Sequence, residues 1–170
     1  VRDLRLVARL VAKADVVVPL AALVGAPACT ADPWTARDVN LGSVLGIVQL
    51  LSPDQRLVYP NTNSGYGASG SNRPCDEDTP LRPVSLYGTT KCEAEDAVLA
   101  AGGVSLRLAT IYGFSPRMRL DLLVNDMVHR AVTDRAVTLF EAHHRRSVVH
   151  VRDVARAFIH ASTEGYASMS

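Results

Sequence analysis

The sequence predicts an α/β fold built on a doubly wound parallel sheet, and three observations predict it. Short apolar runs at residues 15–20 (DVVVPL), 56–59 (RLVY) and 104–110 (VSLRLAT) have the continuous β-branched pattern of strands buried on both faces. Segments of helical period and length alternate with them, as β-α-β units require. Small or hydroxylated residues collect just beyond the strand ends, at 20–22, 60–64 and 110–112. In an open α/β sheet, ligands bind beyond those carboxyl ends.

Residues 1–13 read as an amphipathic helix, with Leu4, Leu6, Val7, Leu10 and Val11 forming an apolar stripe between Arg2, Arg5 and Arg9. The strand at 15–20 follows, then a small-residue loop over 21–27. Residues 31–51 read as one long helix, with Pro33 in its first turn and Val39, Leu41, Val44, Leu45, Val48 and Leu51 largely periodic. The strand at 56–59 leads into the loop 60–67, and residues 68–83, rich in Gly, Ser, Asn, Pro and acids, form an irregular surface excursion. Ser85 is the expected N-cap of a helix that runs to Ala101 and stops at Gly102-Gly103. Beyond the third strand come a loop over 111–119 and a helix over 120–133. Short strands are expected at 137–140 and 147–151, joined by the polar link 141–146, with a final helix over 152–162.

Within the helix that follows Ser85, Tyr87 and Lys91 stand four residues apart, so their side chains share one face. A phenol beside an ammonium is a proton-transfer device. Free tyrosine, with a pKa of about 10, is a poor base, and bringing it near 7 takes roughly 4 kcal/mol of differential stabilisation from a neighbouring cation. Such pairs also arise by chance on solvated helices. Here the chain has sixteen Arg and only two Lys, Lys13 and Lys91, so lysine at this position is not background.

The bulk properties fit a soluble, cytoplasmic protein of 170 residues, 48% of them hydrophobic. A net charge of +1 gives no electrostatic basis for nucleic-acid or anionic-membrane partners. No apolar run approaches the ~20 residues that span a bilayer, and no secretory leader pattern is present. Cys29, Cys75 and Cys92 are odd in number and, like the His143-His144 pair, lack metal-ligand spacing, so reduced thiols and no metal are expected.

Five motifs in order give the chain a resemblance to the extended short-chain dehydrogenase/reductase superfamily, specifically its NAD-dependent nucleotide-sugar epimerases and dehydratases. DVVVPLAA is similar to the strand beneath the nicotinamide. LVYPNTNSGYG resembles the strand and loop that carry a catalytic Ser or Thr, and SLYGTTK the Tyr-x-x-x-Lys helix. LRLATIYG followed by SPRMR looks like the passage into the substrate domain. RRSVVHVRDVA resembles a late segment beside the nucleotide diphosphate.

The resemblance implies a Rossmann-like sheet with part of a small substrate domain: residues 1–113 as an incomplete NAD(P)-binding domain, 114–146 as substrate-binding region, and 147–170 as a strand and helix returning to the first. It makes Tyr87 the general acid/base and Lys91 its activator and a ribose contact. Thr62, 25 residues before the tyrosine, becomes the hydroxyl that binds the reacting oxygen. Leu20, Ala21, Ala22, Pro60 and Thr110 join Tyr87 and Lys91 as cofactor contacts, the cofactor being NAD with NADP left open. Asn63, Ser64, Arg117, Arg119, Asn125 and Arg146 become substrate contacts, Arg146 through a guanidinium suited to a diphosphate. A nucleotide-sugar or other small-molecule substrate and a homodimer are implied as partners.

The chain departs from the family pattern at several places. Pro19 stands where His is common, Thr110 where Asn is common, and Pro60-Asn61 where serines are usual. Asn63 and Ser64 follow Thr62 where dehydratases carry acids, which favours epimerisation or simple oxidation and reduction. No G-x-x-G-x-x-G pyrophosphate turn occurs in the sequence, and the expected reading is an internal piece of a longer enzyme. A reductase or dehydrogenase on a non-sugar or keto-sugar substrate, and a non-catalytic fragment, are the competing readings. By the blander readings, Thr62 caps a turn, His150 is a satisfied core histidine, and Asp153 stabilises a helix N-terminus.

Overall fold

The computed structural model describes residues 1–67, 74–139 and 145–163. They form two compact units, Val1–Arg107 and Leu108–Ser170.

The first unit opens with α1 (Leu4–Val11), whose first turn is capped by Asp3 Oδ1 accepting from the Leu6 amide at 3.0 Å. Its apolar stripe is only partly used. Val11 is buried and Val7 packs on the core, whereas Leu4, Leu6 and Leu10 remain largely exposed. The helix reaches α4 at Gly46, where a Cβ would come within 2.8 Å of Leu4 Cδ2.

The expected strand at 15–20 shortens to β1 (Val16–Val17), paired in parallel with Arg56 and Leu57 of β2 (Arg56–Thr62). The reason is local. Pro19 has no amide to offer, and the Leu20 amide turns back onto the Val18 carbonyl at 3.0 Å, closing a three-residue turn. A short helix absent from the sequence reading, α2 (Ala26–Ala31), follows Gly25, whose φ of 94° admits glycine readily and whose successor is followed by Pro27 at the helix start.

The long helix expected over 31–51 is three connected pieces: α3 (Pro33–Arg37), a π-helical turn (Asp38–Gly42) and α4 (Ser43–Leu50). The π turn places the buried Asn40 to face the chain after β1. Further on, β2 extends three residues past its expected end and takes in Pro60, Asn61 and Thr62. Proline is tolerated because pairing with β1 covers only Arg56 and Leu57. β2 lies between β1 and β3 (Val104–Leu108).

α5 (Leu86–Ala100) starts and stops as expected. Ser85 Oγ accepts from the Gly88 amide at 3.1 Å, and Gly102 takes a φ of 76° after the last turn. The core of the unit joins Val44 and Ile47 of α4, Leu57 and Tyr59 of β2, and Ala94 and Val98 of α5.

The expected strand 104–110 proves to be two, and the second of them belongs to the second unit. β3 ends at Leu108, and β4 (Thr110–Tyr112) pairs in parallel with β5 (Val148–His150). α6 (Leu123–Thr133) begins three residues later than expected, and α7 (Val151–Thr163) matches the expected last helix. Residues 137–139 form no strand, and the rest of that expected strand at Phe140 lies outside the described residues, as do 141–144 of the polar link and the chain beyond 163. No helix among the described residues is long and apolar enough to cross a membrane.

Candidate functional site

The sequence-predicted site residues divide between the two units. Leu20, Ala21, Ala22, Pro60, Thr62, Asn63, Ser64, Tyr87 and Lys91 lie in the first; Thr110, Arg117, Arg119, Asn125 and Arg146 lie in the second.

In the first unit, Thr62 is the last residue of β2 and is buried. Its side chain binds Ser64 twice, accepting from the Ser64 amide at 3.2 Å and donating to Ser64 Oγ at 3.1 Å, which caps the 3-10 turn Asn63–Tyr66. That turn is laid directly on α5. A Cβ at Gly65 would come within 2.7 Å of Cys92 Sγ, and one at Gly88 within 3.2 Å of the Ser64 carbonyl. The two glycines let the Thr62 turn close onto the first turns of α5, beside Tyr87. Leu20 and Ala21 sit exposed in the segment after β1, and Ala22 is half-buried.

Lys91 is the least ordinary of these residues, being only 3% exposed. Its Nζ lies 3.9 Å from the centroid of the Tyr59 ring, a cation-π contact inside the fold. Burial pulls its pKa down from the ordinary lysine value to about 8, with Glu95 acting in the opposite sense. The group therefore keeps its charge at neutral pH. Burial pushes the Tyr59 hydroxyl far above its ordinary pKa, and charge on Tyr87 adds to the effect, so the two phenols share one electrostatic environment.

Two groups that the sequence reading passed over, Glu95 and Arg107, complete this environment together with Asn61. Glu95, one turn beyond Lys91, is 1% exposed; burial works against its charge, but hydrogen bonds from Arg107 and Ser105 outweigh it and hold the carboxyl below its usual range. Arg107 Nε lies 3.0 Å from both carboxylate oxygens, and the same guanidinium donates to the Tyr66 hydroxyl and the Glu77 carbonyl. Asn61 also favours the Glu95 carboxylate, although its buried Nδ2 meets no acceptor at normal hydrogen-bond geometry. The signal was available: Lys91 and Glu95 repeat the four-residue spacing of Tyr87 and Lys91. Asn40, a lone amide in an apolar helix, was a second such signal. It clamps the segment after β1 through both amide atoms, accepting from the Leu23 amide at 2.7 Å and donating to the Leu23 carbonyl at 3.0 Å.

In the second unit, Thr110 opens β4 and Arg117, Arg119 and Arg146 are exposed. Arg119 pairs with Asp121. Asn125 is buried and committed to backbone: its Oδ1 accepts from the Gly113 amide at 3.2 Å and its Nδ2 donates to the Arg119 carbonyl at 3.0 Å. It holds the loop 113–119 in shape. His150 meets Tyr112 edge to face at 5.3 Å, which fits a packed histidine.

Comparison with known proteins places this arrangement in context. The sequence model of the NAD dependent epimerase/dehydratase family matches residues 1–168. The chain is 27% identical over 153 residues to a UDP-glucuronate 4-epimerase of Thermodesulfobacterium geofontis, covering 84% of this chain and 46% of that protein. It is 33% identical over 96 residues to a dTDP-4-dehydrorhamnose reductase of Mycolicibacterium smegmatis, covering 56% and 29% respectively. Among solved structures, the Thermus thermophilus UDP-glucose 4-epimerase in complex with NAD superimposes with a TM-score of 0.79 at 26% identity, covering 96% of this chain and 58% of that one. The chain spans less than half the length of these two curated relatives.

Proposed function

The chain belongs to the NAD dependent epimerase/dehydratase family, and on that premise we propose that it carries the proton-transfer site of an NAD-dependent nucleotide-sugar epimerase or dehydratase. The observation that carries this reading is the burial of Lys91 on α5, one turn after Tyr87, where the turn that begins at Thr62 packs on the helix. A cation at this place favours the Tyr87 phenolate, which then takes the proton from a sugar hydroxyl; the reverse transfer returns it to a carbonyl. The Thr62 hydroxyl, fixed by Ser64, orients the reacting oxygen. Asn63 and Ser64 flank that position, and Arg117, Arg119 and Arg146 offer guanidinium groups for a diphosphate. Domain roles follow the same reading: 1–113 for the dinucleotide, 114–146 for the substrate, and 147–170 returning to the first.

The donor set suits NAD. An ammonium and a phenol on one helix can meet the ribose of a nicotinamide nucleotide, and the small residues Ala21 and Ala22 leave room for its ring. NAD when bound supplies the acceptor for hydride from the sugar carbon. The relatives' names support the substrate class, since the T. thermophilus enzyme is a UDP-glucose epimerase solved with NAD.

A second reading, a reductase acting on a keto-sugar with exchangeable cofactor, draws on the 33% identity to a dTDP-4-dehydrorhamnose reductase. Asn63 and Ser64, in place of acids after Thr62, favour epimerase or reductase over dehydratase. One experiment separates the readings. Denaturing the purified protein and identifying the released nucleotides by mass yields stoichiometric NAD(H) for an epimerase and none for the reductase. Tyr87→Phe is expected to lower kcat at least 100-fold, in line with the weight of general acid/base catalysis, while NAD binding stays intact. Turnover unchanged by that substitution would remove Tyr87 from the chemistry and the proposal with it.

A further inference from the structure

We infer that Tyr59 and Glu95 are positioning residues for Lys91, the ring seating its ammonium and the carboxylate keeping that ammonium charged inside the fold. The inference rests on the reading of Lys91 as the group that tunes Tyr87, and it names two residues through which Lys91 is held.

The geometry has three parts. The Tyr59 ring is fully buried, and Lys91 Nζ stands 3.9 Å from its centroid, where the electron-rich face attracts a cation. Tyr59 is itself seated against the same helix, its hydroxyl donating to the Lys91 backbone carbonyl at 3.4 Å. Glu95 lies one turn further along the Lys91 face and is committed to Arg107 and Ser105, so its charge is fixed in place. Arg107 is anchored in turn by Tyr66 and the Glu77 carbonyl. Lys91 is thus held by a ring on β2 and by the field of a carboxylate that cannot swing toward it.

Each element packed on α5 brings its own charged or titratable groups. β2 brings Tyr59, the turn after it Tyr66, β3 Arg107 and α2 Cys29, while α5 itself adds Tyr87, Cys92 and Glu95. From α3 and the π turn come Arg37 and Asp38, both on the exposed side, where Arg37 pairs with Glu93. Besides burial, Glu95 is the group that acts on Lys91, and it acts to raise the pKa.

Lys91 can be read directly, because Lys13 and Lys91 are the only lysines in the 170-residue sequence. Labelling the chain with 13C-lysine gives two Cε resonances, and Lys13→Arg assigns them. In the parent chain Lys91 is expected to titrate near pH 8. Glu95→Gln should lower that midpoint by about one pH unit or more, the usual reach of a nearby opposite charge. Tyr59→Leu should lower it as well, whereas Tyr59→Phe, which keeps the ring, should leave it where it was. If Glu95→Gln fails to fold, the double variant Glu95→Gln/Arg107→Met removes both charges of the buried pair and should shift the midpoint the same way.

The direction is decisive. If Tyr59 and Glu95 serve packing alone, loosening them admits water and the Lys91 midpoint climbs toward the ordinary value of about 10.4. A rise, no change in either Glu95→Gln or Tyr59→Leu, or an ordinary midpoint in the parent chain would overturn the inference. The readout does not depend on turnover. A silent Tyr87→Phe would sink the catalytic reading and leave the Lys91 titration standing as its own result.

Discussion

At the scale of single residues, the burial of Lys91 has a thermodynamic signature. Its folded pKa of about 8 lies below the ordinary 10.5. Below pH 8 both folded and unfolded chains hold the proton, and the full penalty of burying the charge is present. Between the two values the unfolded chain binds more protons, so this group's contribution to stability rises with pH. At 1.36 kcal/mol per pH unit the span amounts to about 3 kcal/mol. Other groups act oppositely at the alkaline end, since burial raises the Cys29, Cys92 and Tyr59 pKa values and each then costs stability as the unfolded chain ionises. A difference measurement isolates the lysine. Urea unfolding of the parent chain and Lys91→Met, run from pH 7 to pH 10, should show the parent gaining on the variant above pH 8. Parallel curves would mean that Lys91 is solvated. The sequence made the Tyr87-Lys91 pair visible through spacing and the scarcity of lysine. It left Tyr59 unmarked, because an aromatic in a buried strand reads as core until its ring is seen under a cation.

At the scale of elements, positions and caps were legible and interruptions were not. The Ser85 cap and the Gly102-Gly103 stop were local signals, and α5 forms between them as they direct. Strand lengths depended on neighbours. β1 stops after Val17 because Pro19 cannot pair, and β2 runs on through Pro60, past the two residues that pair with β1. Apolar periodicity likewise joined α3 and α4 into one helix, since a π turn inserts a single extra residue without changing composition. The purpose of that turn is visible at Asn40, whose amide replaces a strand's hydrogen bonds for Leu23. Asn40→Leu should therefore free the 20–25 segment while leaving α4 folded. Two backbone groups lose their partners, a loss worth about 1–3 kcal/mol for each one left buried and unmet. Amide exchange of Leu23 should accelerate strongly in the variant with α4 and α5 unchanged. A Leu23 amide as protected as before would show that the clamp is incidental.

For the whole molecule, the question is where stability resides. The apolar cluster of Val44, Ile47, Leu57, Tyr59, Ala94 and Val98 lies wholly within Val1–Arg107. In the second unit, the buried residues among those described are Asn125 and Val154, while Phe114, Val128, Val132 and Ile159 are more than half exposed. Its sheet is a single three-residue parallel pairing, Thr110–Tyr112 with Val148–His150. Local stability follows buried apolar contact and protected backbone, so the two units should open at different free energies. Native-state hydrogen exchange is expected to show the slowest amides in β2 and α5, with α6 and α7 exchanging on the order of 100-fold faster. Ile47→Ala should cost about 2–5 kcal/mol and bring down the protection of β2 and α5 together, because one cluster holds both. It should leave α6 and α7 near their original rates. Amides of α6 or α7 exchanging as slowly as those of α5 would mean that the second unit draws on buried contacts equal to the first. The helix that carries Tyr87 and Lys91 would then no longer lie in the more rigid part of the chain, where the proposed proton transfer needs it to be.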